Sequence, residues 1–190
     1  MAATESKMLA LGTAAPAFSL PDPDGRLHSL GDAANKAAVL VMFICNHCPF
    51  VKHVRAELAR LGRDFAVRNV AVFAINSNDV DNYPGDHPDR MREEAVNWAY
   101  PFPYLVDAEQ SVAKAYQAAC TPDFFLFDAE QRLIYRGQLD SSRPSNSNPV
   151  DGRDLRAALD AYLAGRPVAA AQTPSIGCSI KWKPGNEPAS

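Results

Sequence analysis

The sequence predicts an α/β domain built on a mixed β-sheet, and three observations predict it. First, residues 38–44 form an apolar run that no polar residue interrupts, rich in β-branched and aromatic side chains. That is the pattern of a strand buried on both faces. Second, a helix-periodic segment follows over 49–67, with Phe50, Val54, Leu58, Leu61 and Phe65 on one face, and then a second apolar run, 70–75. Strand, helix, strand in this order makes a right-handed crossover between parallel strands. Third, the apolar stretch after Pro122 and the segment 133–137 flank a turn at 129–132 and read as a hairpin, which adds antiparallel strands to the sheet.

The remaining elements follow in order. Residues 1–11 read as a loose lead-in, 12–165 as one domain, and 166–190 as a C-terminal tail. Two short strands surround the Asp24-Gly25 turn and make an N-terminal β-hairpin. A polar loop over 79–88 leads into a helix at 89–100 carrying Met91, Ala95, Trp98 and Ala99, ended by Pro101 and Pro103. Residues 104–106 are a short strand. Residues 107–110 resemble a capping box that opens a helix through Val112, Ala115, Tyr116 and Ala119. The Ser/Asn/Pro-rich stretch 141–149 reads as a solvated loop. A closing helix over 154–164 presents Leu155, Leu159, Tyr162 and Leu163 and stops at Gly165 and Pro167. In the tail, Ile176, Cys178 and Ile180 alternate as in a strand.

The chemistry concentrates in Cys45-Asn46-His47-Cys48, where the first strand meets the first helix. Cys45 falls at the strand tip and Cys48 in the first helical turn. Unpaired backbone N–H groups and the positive end of the helix dipole both favour a thiolate there. His47 supplies a further donor or positive charge. The junction is also expected to expose the nucleophile. His53 reads as a surface histidine.

Composition excludes several function classes. A net charge of -3 with no basic block argues against a nucleic-acid partner. Residues 1–10 lack a secretory pattern, and no apolar run is long enough to span a bilayer, so a cytoplasmic protein without a membrane partner is expected. Four cysteines in 190 residues are not a disulfide scaffold. A close pair in a reducing compartment is catalytic or metal-binding, and a structural zinc site wants a second close pair. Cys120 and Cys178 are isolated in the sequence, so no metal is assigned. Both are candidate additional thiols: Cys120 lies two residues before Pro122, and a tail folding back would carry Cys178 to the site.

The stretches Phe43-Ile44-Cys45-Asn46-His47-Cys48-Pro49-Phe50, Cys120-Thr121-Pro122-Asp123 and Tyr135-Arg136-Gly137 resemble the thioredoxin-like redoxin family, related to alkyl hydroperoxide reductase and thiol-specific antioxidant proteins. The resemblance implies a thioredoxin fold over roughly residues 12–165, a central mixed sheet flanked by helices. It implies Cys45 as attacking nucleophile, Cys48 as resolving thiol, and Thr121 and Pro122 as a cis-proline loop facing them. The implied activity is thiol–disulfide exchange, antioxidant in the wider family. Its partners would be a protein or small-molecule disulfide and a dithiol reductant, with no cofactor. Two other functions stay open. One is a thiol peroxidase, although Phe43 and Ile44 replace the Pro and Thr that precede a peroxidatic cysteine. The other is a non-enzymatic, copper-handling protein that uses Cys45, Cys48 and a nearby histidine.

Overall fold

The computed structural model describes residues 3–188. In chain order the elements are β1 (Ala3–Glu5), β2 (Ser19–Pro21), β3 (Leu27–Ser29), β4 (Ala38–Phe43), α1 (Pro49–Val67), β5 (Val70–Asn76), α2 (Pro88–Asn97) and β6 (Tyr104–Val106). Then come α3 (Ser111–Ala115), β7 (Cys120–Thr121), β8 (Asp123–Phe127), β9 (Leu133–Gly137), α4 (Arg153–Leu163) and β10 (Ile176–Ser179).

The central sheet runs β6-β5-β4-β8-β9. β4 pairs parallel with β5, and β5 with β6, while β8 and β9 are antiparallel, so the sheet is mixed and flanked by helices. β4 is wholly buried because the period of two sends its side chains into separate cores. Leu40, Met42 and Ile44 pack with Leu58, Leu61 and Phe65 of α1 and Leu155 and Leu159 of α4. Val39, Val41 and Phe43 pack on the opposite face with Phe73, Phe125 and Tyr116. β4 therefore delivers Cys45 to the sheet's C-terminal edge at a fixed height, where α1 begins.

Two expectations are corrected, the loose lead-in and the capping box at 107–110, and the open question of the tail is answered. The lead-in is not loose: Ala3–Glu5 is a strand, and Ser6 N–H and Gly12 N–H reach Ser175 O and Leu133 O. The tail folds back as β10, which pairs with β1 on one side and β7 on the other, with Cys178 opposite both Ala3 and Thr121. The physical reason lies in the apolar run after residue 119. The Thr121-Pro122 peptide is cis, as the resemblance implies, and the chain divides there. β8 stays in the main sheet, and β7 offers its edge to the tail. The close approach requires Gly177, where an added Cβ would lie 2.0 Å from Thr121 O.

The capping box at 107–110 does not form. α3 starts at Ser111 after Gln110 in a left-handed conformation. The Asp107 carboxylate accepts from Val112 N and Ala113 N, while the Gln110 amide donates to Ser77 O and Lys181 O. Gln110 thus joins α3 to the tail. Among the described residues, no helix is long and apolar enough to cross a membrane.

Candidate functional site

Cys45 follows the end of β4. Cys48 is the N-cap of α1, one position before the helix, and Pro49 occupies N1, where a missing N–H costs nothing. The cis Thr121-Pro122 segment faces them. Cys45 Sγ lies 3.3 Å from Thr121 Oγ1, and Cys48 Sγ lies 3.2 Å from Thr121 O. The fold also brings a third sulfur in: Cys178 Sγ is 2.8 Å from Cys48 Sγ. Five of the expected site residues, Cys45, Cys48, Thr121, Pro122 and Cys178, thus meet at one point.

The expected exposure is corrected. Cys45 is 1% exposed, Cys48 0% and Cys178 4%, because β10 covers the helix N-terminus. Burial alone disfavours a thiolate. It is overcome at one sulfur only. The Cys45 thiol donates to Cys48; against burial, the Cys178 thiol and the N–H groups of Val51 and Cys178 add to that, bringing Cys48 down to about 5. The Thr121 carbonyl, 3.2 Å away, favours a protonated Cys48, but four donors outweigh one acceptor. Donation to Cys48, burial and the nearby Asp86 carboxylate push Cys45 well above its ordinary range, against the Thr121 hydroxyl. Burial and donation to Cys48 push Cys178 up to about 12. The reduced site therefore holds one negative charge, on Cys48, flanked by two thiols.

Cys120 is fully buried, with Sγ 3.7 Å from Pro122 O and 4.0 Å from Ser175 O. Desolvation, then the Asp123 carboxyl, keeps its thiol protonated.

His47 does not point its donor at a thiolate. A carboxylate can only accept, so Nδ1 carries the proton and donates to Asp86 Oδ2 at 2.6 Å. The ring stacks on Tyr83, with centroids 5.5 Å apart, and Nε2 is buried without a partner. Asp86 was not singled out in the sequence. It is 0% exposed and also accepts from Asn46 N at 2.7 Å and Asn78 Nδ2 at 2.8 Å. Burial opposes its ionisation, but His47, Asn78 and Asn46 together hold its carboxyl below the usual range. Asn46 Nδ2 donates to Gly85 O, and Tyr104 OH donates to Asn46 Oδ1. Lys181 N–H donates to Asn78 Oδ1, and Asp79 N–H to Lys181 O. One polar knot thus ties the segment between the cysteines to the loop 77–87 and to the tail.

Cys45 Sγ, a His47 ring nitrogen and an Asp86 oxygen lie within 4.8 Å of one another, a donor set that could hold a metal ion. Asp86 is committed to three N–H groups in this arrangement, so metal binding would first have to dismantle the knot. His53, expected at the surface, is half-buried, with Nε2 unpartnered, beside Phe50, Pro122 and Ser142.

The chain is similar to known redoxins along most of its length. A thiol-disulfide oxidoreductase, ResA, of Geobacillus thermodenitrificans is 27% identical over 130 residues, covering 68% of this chain and 70% of ResA. An uncharacterized conserved protein from Geobacillus kaustophilus has a crystal structure with TM-score 0.95 and 57% identity, covering 97% of this chain and 98% of its own. The thioredoxin domain of a thiol-disulfide oxidoreductase from Bacteroides vulgatus superposes with TM-score 0.60 at 17% identity, covering 78% of this chain and 97% of that one, which establishes the thioredoxin fold. The AhpC/TSA family model matches residues 11–136, from before β2 through the dithiol helix and the cis-proline loop into β9. With that match spanning well over half of its length, the chain belongs to the AhpC/TSA family of thioredoxin-like redoxins.

Proposed function

We propose that this protein is a thiol–disulfide oxidoreductase whose redox couple is Cys45 and Cys48. The observation that carries the reading is the dithiol at the N-terminus of α1, with both sulfurs against Thr121 of the cis-proline loop. Cys45 makes the first attack. It lies beside the half-buried His47 and the loop that carries Asp86, whereas Cys48 is enclosed by β10. Cys45 passes its proton to the neighbouring Cys48 thiolate and attacks one sulfur of a substrate disulfide. The substrate S–S bond breaks, a mixed disulfide forms on Cys45, and the first substrate thiolate leaves. Cys48 then attacks Cys45 Sγ, the Cys45–substrate bond breaks, and the departing substrate sulfur takes up the Cys48 proton and leaves as a thiol. Two electrons pass to the substrate, and the protein holds a Cys45/Cys48 disulfide. A dithiol reductant restores it, and no cofactor takes part. Because all three sulfurs are buried, β10 or the loop 77–87 must swing aside for the attack.

The alternative peroxidase reading would have one cysteine oxidised to a sulfenic acid. Reduced protein given separately a model protein disulfide and hydrogen peroxide distinguishes them. The expected result is catalytic disulfide reduction in the presence of a dithiol, with peroxide consumed no faster than by free cysteine. Rapid peroxide consumption with inert disulfides would overturn the proposal.

A further inference from the structure

We infer that Cys178 is a third redox-active thiol, which attacks Cys48 of the oxidised pair and moves the disulfide from Cys45/Cys48 to Cys48/Cys178. The inference rests on the reading of Cys45 and Cys48 as a redox couple.

The placement of Cys178 is built into the fold. β10 is clamped on both sides, with Ala3 opposite Cys178 in β1 and Thr121 opposite it in β7. Thr121 is the residue that touches both Cys45 and Cys48, so its strand partner is delivered to the same point. Gly177 lets the two backbones close, since any Cβ there would meet Thr121 O. Past the cysteine, Lys181 N–H and O pair with Asn78 and Asp79, and Ile180 N–H with Ala119 O, which fixes the strand from its far end. The outcome is an Sγ–Sγ separation of 2.8 Å between two cysteines 130 residues apart. An inert tail residue needs none of this precision.

The exchange balances without an external oxidant. Cys178 Sγ attacks Cys48 Sγ, the Cys45/Cys48 bond breaks, and a Cys48/Cys178 bond forms. Cys45 leaves as a thiolate and takes up the proton that Cys178 gives up. The oxidation level of the protein is unchanged. Cys45, the thiol that meets substrate, returns to the reduced form, while the oxidising equivalent is held at a buried pair that staples β10 to the N-terminus of α1.

The test is disulfide mapping after equilibration with excess oxidised glutathione, acid quenching, alkylation and proteolysis. The proteins are wild type, Cys45→Ala and Cys178→Ser, each first checked for native near-UV circular dichroism, and Gly177→Ala, checked for native helix content by far-UV circular dichroism. The expected result is both linkages in wild type, a Cys48/Cys178 bond in Cys45→Ala, and only Cys45/Cys48 in Cys178→Ser. Gly177→Ala, which unseats β10, loses the Cys48/Cys178 linkage and keeps the other. Wild type in which Cys48 pairs with Cys45 alone, or a native Cys45→Ala that forms no bond to Cys178, would overturn the inference and leave the proposed function standing. No intramolecular disulfide in any protein would overturn both.

Discussion

Replacing Cys48 by serine leaves a protein that can begin disulfide exchange and cannot finish it. Cys45 keeps Thr121 Oγ1 at 3.3 Å and still reaches the substrate, but the resolving sulfur is gone. The sulfur that Cys178 Sγ meets is that of Cys48, so Cys178 is not placed to resolve an adduct on Cys45. The expected result is a stable one-to-one mixed disulfide on Cys45, read as an adduct mass on that peptide, and turnover lower by about three orders of magnitude or more. Cys45→Ser is expected to lose turnover to the same extent without forming the adduct. Full turnover by Cys48→Ser would remove Cys48 from the mechanism.

Asp86→Ala is expected to cost about 3–5 kcal/mol of stability, because it takes the acceptor from Asn46 N–H, His47 Nδ1–H and Asn78 Nδ2–H in a buried site. For a chain of this length that corresponds to a fall in Tm of roughly 10 °C. The pH dependence has a definite sign. The Asp86 carboxyl titrates below its unfolded value in the folded protein, so its contribution is present above about pH 4 and is lost as pH falls through the folded value. Urea unfolding of both proteins at pH 7 and pH 3 is expected to show a large gap that narrows in acid. A gap that is small at pH 7, or widens in acid, would mean that the knot is not held by an ionised Asp86. The substitution also removes the carboxylate that pushes Cys45 up, so in the folded variant the Cys45 thiol ionises more easily.

What the sequence reveals and what it hides have physical reasons. β4, α1 and β5 are legible because a strand buried on both faces and a one-faced helix leave unmistakable periodicities. Cys45 and Cys48 are legible because the motif and the strand-to-helix junction coincide. The cis Thr121-Pro122 bond follows from the resemblance, but its consequence does not: a proline between two apolar strands gives no sign that they enter different sheets. The alternation at Ile176, Cys178 and Ile180 marks a strand without naming its partner, and Ala3–Glu5 carries no apolar signal at all. Asp86, Asn78 and Asn46 read as loop polarity, because polar residues are solvated by default. They are buried only because they satisfy one another, a property of the folded knot and not of any one segment. The charge on Cys48 follows the same logic in part, since the Cys178 thiol from the other end of the chain adds to what the Cys45 thiol supplies locally.

The central claim is a reversible dithiol couple with one thiolate in its reduced form. The most direct test is the reduction potential of the site measured against glutathione from pH 4 to pH 8. Above about pH 5 the reduced site already carries the Cys48 thiolate, so reduction takes up one proton; below it, two. The predicted result is a two-electron couple whose potential falls by about 59 mV per pH unit below that point and about 30 mV per pH unit above it. No disulfide at any poise, or a slope near 59 mV per pH unit up to pH 8, would contradict the account.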